Sequence, residues 1–426
     1  MSLAVRNGCA TAIVKPPGHG LATPSIETRT SWVVACIALL LLGLSFGAPW
    51  ITAVGLKTIA ADMGGQRSVP SLASSLAWFG SAVGGILMGR VAEKYGIRWT
   101  VAFGAVMIAI GLYISTLGEP WQLWLGHGLF MGLLGNAGLN APLYVYVSRW
   151  FDKRRGSALA LISSGGYLAG FVWPTVFERA ISSYGWRATM IGYGIFQVAA
   201  IVPVAMIFLK PPPEIPVATA ANASGEKPTV LGWPPNVTFA LIAFASFLCC
   251  VTMSMPQAHI VALCSDLGIS ASVGAAMLSV LLGAGLLSRQ FWGLISDRIG
   301  GLLTALFSSA LQGAAMSGFL FAQDEISMFS VSLAFGIGFS ALIPAYVLTI
   351  RELYPVTEAH WRVPTLLLLS GSGMAVGGSL AGFLYDKFGY YAPAFGTGVA
   401  FNVANLSLLA MLVLRQHMIN KERAVR

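Results

Sequence analysis

Acidic side chains are scarce in this sequence, and those present avoid the middle of every apolar run. Only 16 of 426 residues are Asp or Glu, and all charged residues together make up 10%. A soluble domain carries about 25%. With 56% hydrophobic residues, no water-facing surface can be built along most of the chain, which excludes a soluble globular protein. Cysteine is also sparse. Cys9, Cys36, Cys249, Cys250 and Cys264 are odd in number and lack metal-ligand spacing, so neither a disulfide framework nor a metal cluster is expected. Residues 1–30 are polar, carry Pro16 and Pro17 and contain no apolar run. No cleavable signal peptide is expected there. The chain has no Gly-x-Ser-x-Gly, no phosphate loop, no His-Glu-x-x-His and no carboxylate pair at depth. It is therefore not expected to be an enzyme, and no cofactor or metal is called for.

What is present is length and hydrophobicity. A bilayer core of about 30 Å needs roughly 20 apolar residues per helix. Cutting at charges and at Pro/Gly clusters predicts helices 1–12 near 32–56, 69–90, 99–117, 121–148, 157–179, 187–209, 233–259, 270–294, 300–322, 326–350, 363–385 and 392–414. The runs are too long for strands and lack their alternation. The longest polar interior stretch, "KPPPEIPVATAANASGEKPTVLGWPP", reads as a linker and divides the helices six and six. The expected organisation is an N-terminal tail (1–30), a six-helix half (31–209), a linker (210–232), a second half (233–415) and a C-terminal tail (416–426). With both termini cytoplasmic, nineteen Lys and Arg fall on that side and five on the other, with Arg289 left in between. This is the positive-inside bias. The net charge of +9 thus sets topology and meets anionic lipid heads, and it is no nucleic-acid footprint.

The halves echo each other. "GRVAEKYGIR" (Gly89 to Arg98) follows helix 2, and "GLISDRIGG" (Gly293 to Gly301) follows helix 8. "GYLAGF" from Gly166 in helix 5 pairs with "GSLAGF" from Gly378 in helix 11. Matching positions argue for a parallel repeat. On these residues the chain resembles the major facilitator superfamily. "PLYVYVSRWFDKRRGSALALISSGG" (Pro142 to Gly166) is similar to the helix 4–5 signature of monocarboxylate transporters and oxalate/formate antiporters, matching at Pro142, Phe151, Lys153, Arg154, Arg155, Ala158 and Gly165. That branch typically carries an arginine in helix 8, where Arg289 stands. Two departures stand out. Gly285 occupies the position of an aspartate in animal monocarboxylate transporters, and Trp50 follows Pro49 where they have a lysine. Helix 11 holds no interior lysine either, unlike the oxalate/formate exchangers.

Arg289 is the central candidate. A charge at the bilayer centre costs about 2.5–3.5 kcal/mol on insertion scales. A bound carboxylate, matched by the guanidinium fork, would offset this; a snorkelling or backbone-capping arginine is the alternative. Asn136, Asn140 and Tyr144 share one face of helix 4 and either meet substrate or hold helices together. Phe339, Ser340 and Tyr346 in helix 10 are pocket or packing residues, and Trp50 lines a vestibule or the core. His127 and His259 could carry a proton or be structural. Gly89, Glu93, Lys94, Arg98, Gly293, Asp297 and Arg298 are read as conformational gating residues, with a solvated charge run as the alternative.

The expected fold is an all-α membrane protein of twelve transmembrane helices in two pseudo-symmetric halves. The expected activity is alternating-access transport of a small organic anion, a monocarboxylate such as lactate, pyruvate or a hydroxy acid, with a co-transported proton or counter-transported anion as possible partners. The alternatives are a larger or uncharged solute with Arg289 structural, and a non-transporting membrane sensor. The protein is expected to be monomeric, in a bacterial inner membrane.

Overall fold

The computed structural model describes residues 27–212 and 229–425. The first 26 residues of the expected tail and residues 213–228 of the expected linker lie outside the described residues. Among the described residues nine helices are long and apolar enough to cross a bilayer. One of these, Gly156–Phe208, has 53 residues, over twice the length a crossing needs. It breaks at Gly185 (φ 79°) into helices 5 and 6. Helix 4 escapes a single-helix count because it is assembled from Pro120–Leu125, the π-helical Gly126–Asn136 and Ala137–Ser148. Helix 9, Gly301–Gly318, is long enough but less apolar, since it carries Thr304, Ser308, Ser309, Gln312 and Ser317. The bundle thus has the twelve crossings expected.

The other crossings are helix 1 (Arg29–Ser45, continued by Ala48–Val54 and Leu56–Asp62), helix 2 (Ser68–Tyr95) and helix 3 (Ile97–Ser115). In the second half they are helix 7 (Pro235–Asp266), helix 8 (Ala271–Ile299), helix 10 (Glu325–Phe339 and Leu342–Leu353), helix 11 (Val356–Phe388) and helix 12 (Ala392–Val425). Several ends lie beyond the sequence bounds, among them the ends of helix 2 at Tyr95 and helix 8 at Ile299, and the start of helix 11 at Val356. Helix 7 continues past His259 to Asp266. Helix 12 runs through the stretch read as a tail, because "NKER" holds good helix formers and no Gly or Pro to stop it.

The repeated loop has a backbone reason. Gly96 (φ 87°, ψ 154°) joins helices 2 and 3, and Gly300 (φ 81°, ψ 170°) joins helices 8 and 9. Only glycine adopts this region without strain, so the last glycine of each motif makes the reversal possible. The face carrying these loops also holds the ends of the described chain. Glu27 accepts from the Lys153 amide (2.5 Å), Tyr146 donates to the Lys210 carbonyl (2.6 Å), and Arg415 lies over Trp233.

The opposite face is latched shut between the halves. Arg67, just before helix 2, forks onto Asp266 at the end of helix 7 (2.5 and 2.7 Å). Lys57 adds a third contact to Asp266 at 3.1 Å. The Arg67 guanidinium lies 3.6 Å from the Tyr385 ring centroid and 5.2 Å from that of Tyr391. Asp386 reaches across from helix 11 and accepts from the Arg67 and Ser68 amides (2.8 and 2.9 Å), capping the start of helix 2. Beneath it, His259 contacts the Gly378 carbonyl (2.9 Å), Tyr391 (3.0 Å) and Ser71 of helix 2 (3.3 Å). Within the first half, hydrogen bonds from Trp186 and Arg187 hold the Asp62 carboxyl below its ordinary range. Deeper, helix 11 packs on helix 2 and helix 8 on helix 5, so the halves meet along two seams.

Arg67 is nearly buried, and hydrogen bonds to charged groups are worth about 1.5–3 kcal/mol each. Arg67→Gln should therefore shift the equilibrium toward an opened latch by tenfold or more. Distances between spin labels at Ala61 and Ala271 provide the measurement. An unchanged distribution would show that the latch does not hold the halves together.

Candidate functional site

Helix 8 turns Leu278, Leu281, Leu282, Gly285 and Ser288 into the bundle, which leaves Arg289 half-buried on the edge of this packed face. Helical side chains lean toward the helix N-terminus, so the Arg289 head reaches back to the level of Gly285. There its guanidinium carbon lies 5.2 Å from the centroid of the Tyr167 ring of helix 5. Tyr167 in turn stacks on Phe339 of helix 10 (5.7 Å, 16°), which leans on Phe335 (5.6 Å). Gly285 makes this platform possible, since a Cβ there would sit 2.9 Å from Tyr167 Cε1.

Arg289 forms no ion pair with any carboxylate among the described residues. Its charge acts on the hydroxyl groups of Tyr144 and Tyr167, and Ser163 lies against Tyr144. A cation over an aromatic face gains about 0.5–2 kcal/mol. Insertion at depth costs about 2.5–3.5 kcal/mol. The tyrosine face offsets only part of that cost.

Of the residues expected from sequence, Arg289, Tyr144 and Phe339 come together here. Asn140, half-buried, lies one helical turn from Tyr144 on the same face. Asn136 is 2% exposed and its side-chain carbonyl accepts from Ser45 (3.2 Å), so it joins helix 4 to helix 1. Ser340 is buried against Ser288 (2.8 Å), fixing helix 10 to helix 8 one residue before Arg289. Tyr346 is buried and donates to Asn405 (2.7 Å), a packing role. His127 is enclosed by Thr52 (2.7 Å) and Ser115 (2.9 Å), also a structural setting.

The expected gating residues sit on the face opposite the latch. Glu93, Lys94, Asp297 and Arg298 are exposed, and a side chain added at Gly89 or Gly293 would meet open space. Arg98 donates to the Leu209 carbonyl (2.5 Å), within its own half. Lys94 lies over the neighbouring Tyr95 ring.

Trp50 lies elsewhere, lining a cavity of about 30 Å³ between the halves with Ser75 and Trp78 of helix 2 and Ser254 and Gln257 of helix 7. Sequence reasoning missed Tyr167, Ser75, Trp78 and Gln257. Tyr167 did leave a trace, because it is the one residue by which "GYLAGF" differs from "GSLAGF".

The Gly285 contact is testable by a double-mutant cycle. Gly285→Ala should cost about 1–3 kcal/mol by overpacking against Tyr167. In a Tyr167→Ala background the same change should cost little, and denaturation of the purified protein measures both. Equal costs in the two backgrounds would mean that Gly285 is not shaped by Tyr167.

Comparisons with known proteins agree with this architecture. The sequence profile of the Major Facilitator Superfamily matches residues 35–360. The chain is 25% identical to monocarboxylate transporter 13 of Bos taurus over 351 residues, covering 81% of this chain and 79% of that one. It is also 25% identical to MFS-type transporter 1 of Ophiocordyceps sp. (strain BCC 1869) over 400 residues, covering 89% and 86%. Among solved structures, it is similar to a bacterial homolog of the human lysosomal transporter Spinster in an inward-facing and occupied conformation (TM-score 0.67, 15% identity, 93% of this chain and 98% of that one). A peptide transporter in complex with alafosfalin has the same fold (TM-score 0.68, 14% identity, 89% and 94%). The twelve-helix bundle, its repeated halves and the profile match place this chain in the Major Facilitator Superfamily, as a multi-pass integral membrane transporter.

Proposed function

We propose that the protein moves a small monocarboxylate across the membrane by alternating access, with Arg289 as the carboxylate-binding residue. The observation that carries this reading is a half-buried guanidinium resting on an aromatic face, with no carboxylate partner among the described residues. A substrate carboxylate would complete the pair. Tyr144 and Phe339 would shape the space around it, with Asn140 one turn away on helix 4. Similarity to monocarboxylate transporter 13 supports the substrate class. The fungal relatives carry only general transporter names or efflux roles and support no one substrate.

The platform spans the halves, since Tyr167 belongs to the first and Arg289 to the second. Rearranging the halves would therefore change what neutralises the charge, and a bound carboxylate would lower the cost of separating ring from guanidinium. In this reading the latch face is extracellular and the face with the repeated loops is cytoplasmic, as the Lys and Arg distribution requires. The latched conformer then opens inward. Short loops are the ground for expecting a bacterial inner membrane; the relatives, fungal and mammalian, add no support to that.

Two experiments test the proposal. Losing a charge-assisted hydrogen bond costs about 1.5–3 kcal/mol, so Arg289→Gln should cut initial uptake of radiolabelled lactate or pyruvate into proteoliposomes at least tenfold. Undiminished uptake, or uptake blocked by bulky aromatic solutes and not by short acids, would favour a larger solute with Arg289 structural. For orientation, a cysteine at Ala61 should react with a membrane-impermeant thiol reagent added outside intact cells, and one at Glu93 should not. The reverse pattern would invert the topology.

A further inference from the structure

The cavity beside Trp50 has a chemistry that the Arg289 site does not explain. It lies between helices 1 and 2 of one half and helices 7 and 11 of the other, on the latch side of Arg289. Its roof is Gly378, whose carbonyl meets His259 beneath the latch. Its walls are the rings of Trp50 and Trp78, the latter stacked on Phe46 (6.1 Å). Ser75 is 4% exposed and its hydroxyl has no hydrogen-bond partner among the described residues. An unpaired buried hydroxyl costs about 1–3 kcal/mol, so an orphan of this kind calls for an explanation. Gln257, 6% exposed, lines the same space and brings an amide donor and acceptor.

A chain of contacts runs from the guanidinium along helix 8 to the wall of the cavity. Arg289 reaches back to the level of Gly285, beside Tyr167. Three residues further along, Leu282 meets Gly170, and the edge of Trp50 meets the same glycine. Three residues of helix rise about 4.5 Å. One water needs roughly 10–15 Å³ by this measure, so 30 Å³ admits an end group of about two heavy atoms. Leu282 and Gly170, beside the Trp50 ring, thus stand between the Arg289 site and a small polar one.

We propose that the Ser75 and Gln257 cavity is a second subsite, which reads a hydroxyl or amide at the far end of the transported acid. The substrate class is then a monocarboxylate carrying a hydrogen-bonding group about five bonds from its carboxylate, with an apolar chain between. Acids lacking that group leave Ser75 unpaired and bind less well. This inference rests on the carboxylate reading of Arg289.

The test compares radiolabelled pentanoate and 5-hydroxypentanoate for uptake into proteoliposomes by the full-length protein, taking the ratio of their transport efficiencies. In the unmodified protein the hydroxylated acid should be favoured roughly tenfold, and a ratio near one overturns the subsite. Ser75→Ala removes an oxygen that has no partner, so the variant should fold, which elution as a single peak checks. It should bring the ratio toward one, as should Gln257→Leu, and a ratio unmoved in both overturns the subsite. Arg289→Gln should lower uptake of both acids by a common factor and leave the ratio alone. If Arg289→Gln lowers uptake while the ratio is one throughout, the carboxylate site stands and the subsite falls. If it lowers neither, the carboxylate reading falls. Uptake of neither acid by the unmodified protein overturns the subsite, and the carboxylate reading then stands or falls on uptake of lactate or pyruvate.

Discussion

The Arg289 guanidinium resting on the Tyr167 ring is the contact around which the site is organised. A charge at that depth has to be met by a dipole, an opposite charge or water. Here the permanent answer is an aromatic face, which neutralises only part of the cost. Much of the local packing follows from that arrangement. Gly285 has no side chain because the ring occupies its space, and Phe339 stacks behind the ring to fix its plane. Ser288 and Ser340 tie helix 8 to helix 10 beside the arginine. Three helices from both halves thus converge on one incompletely neutralised charge.

The same chemistry appears a second time with the opposite outcome. Arg67 also lies over tyrosine rings, but Asp266 meets its fork with two oxygens and Asp386 caps the adjacent backbone. That arginine is satisfied within the protein and closes one face of the bundle. Arg289 meets Tyr167, forms no ion pair with a carboxylate among the described residues, and sits near the middle. The contrast separates a cation paired with a carboxylate from one that is not, although both are arginines among aromatics. Closure at one end and exposed motif charges at the other give the bundle a direction.

Legibility in the sequence followed the range of the physics involved. Hydrophobic run length, glycine punctuation and the repeated loop are local, and they gave twelve crossings in two halves. Arg289 stood out because a lone charge in an apolar run is expensive whatever surrounds it. Tyr144 was found by its helical spacing from Asn136 and Asn140, and Phe339 because helix 10 is the repeat equivalent of helix 4. Asn136 has the same spacing and turned inward to Ser45, since spacing fixes a face but not which neighbour that face meets. Tyr167 and Ser75 were missed because a tyrosine or serine in an apolar helix is ordinary until its neighbours are known. The ends of helices 7 and 12 were placed short because charge was read as a stop, whereas helices end at caps and breakers.

The sequence alone determined that the chain must live in lipid, cross it twelve times and carry one costly charge at depth, since hydrophobic transfer and backbone hydrogen bonding act residue by residue. Only the tertiary structure decided which partner that charge has and which buried polar groups, Ser75 among them, are left orphaned. It also decided which end of the bundle is shut. Those outcomes depend on which of several chemically equivalent helix faces meet across the seam between the halves, and local sequence does not encode that choice.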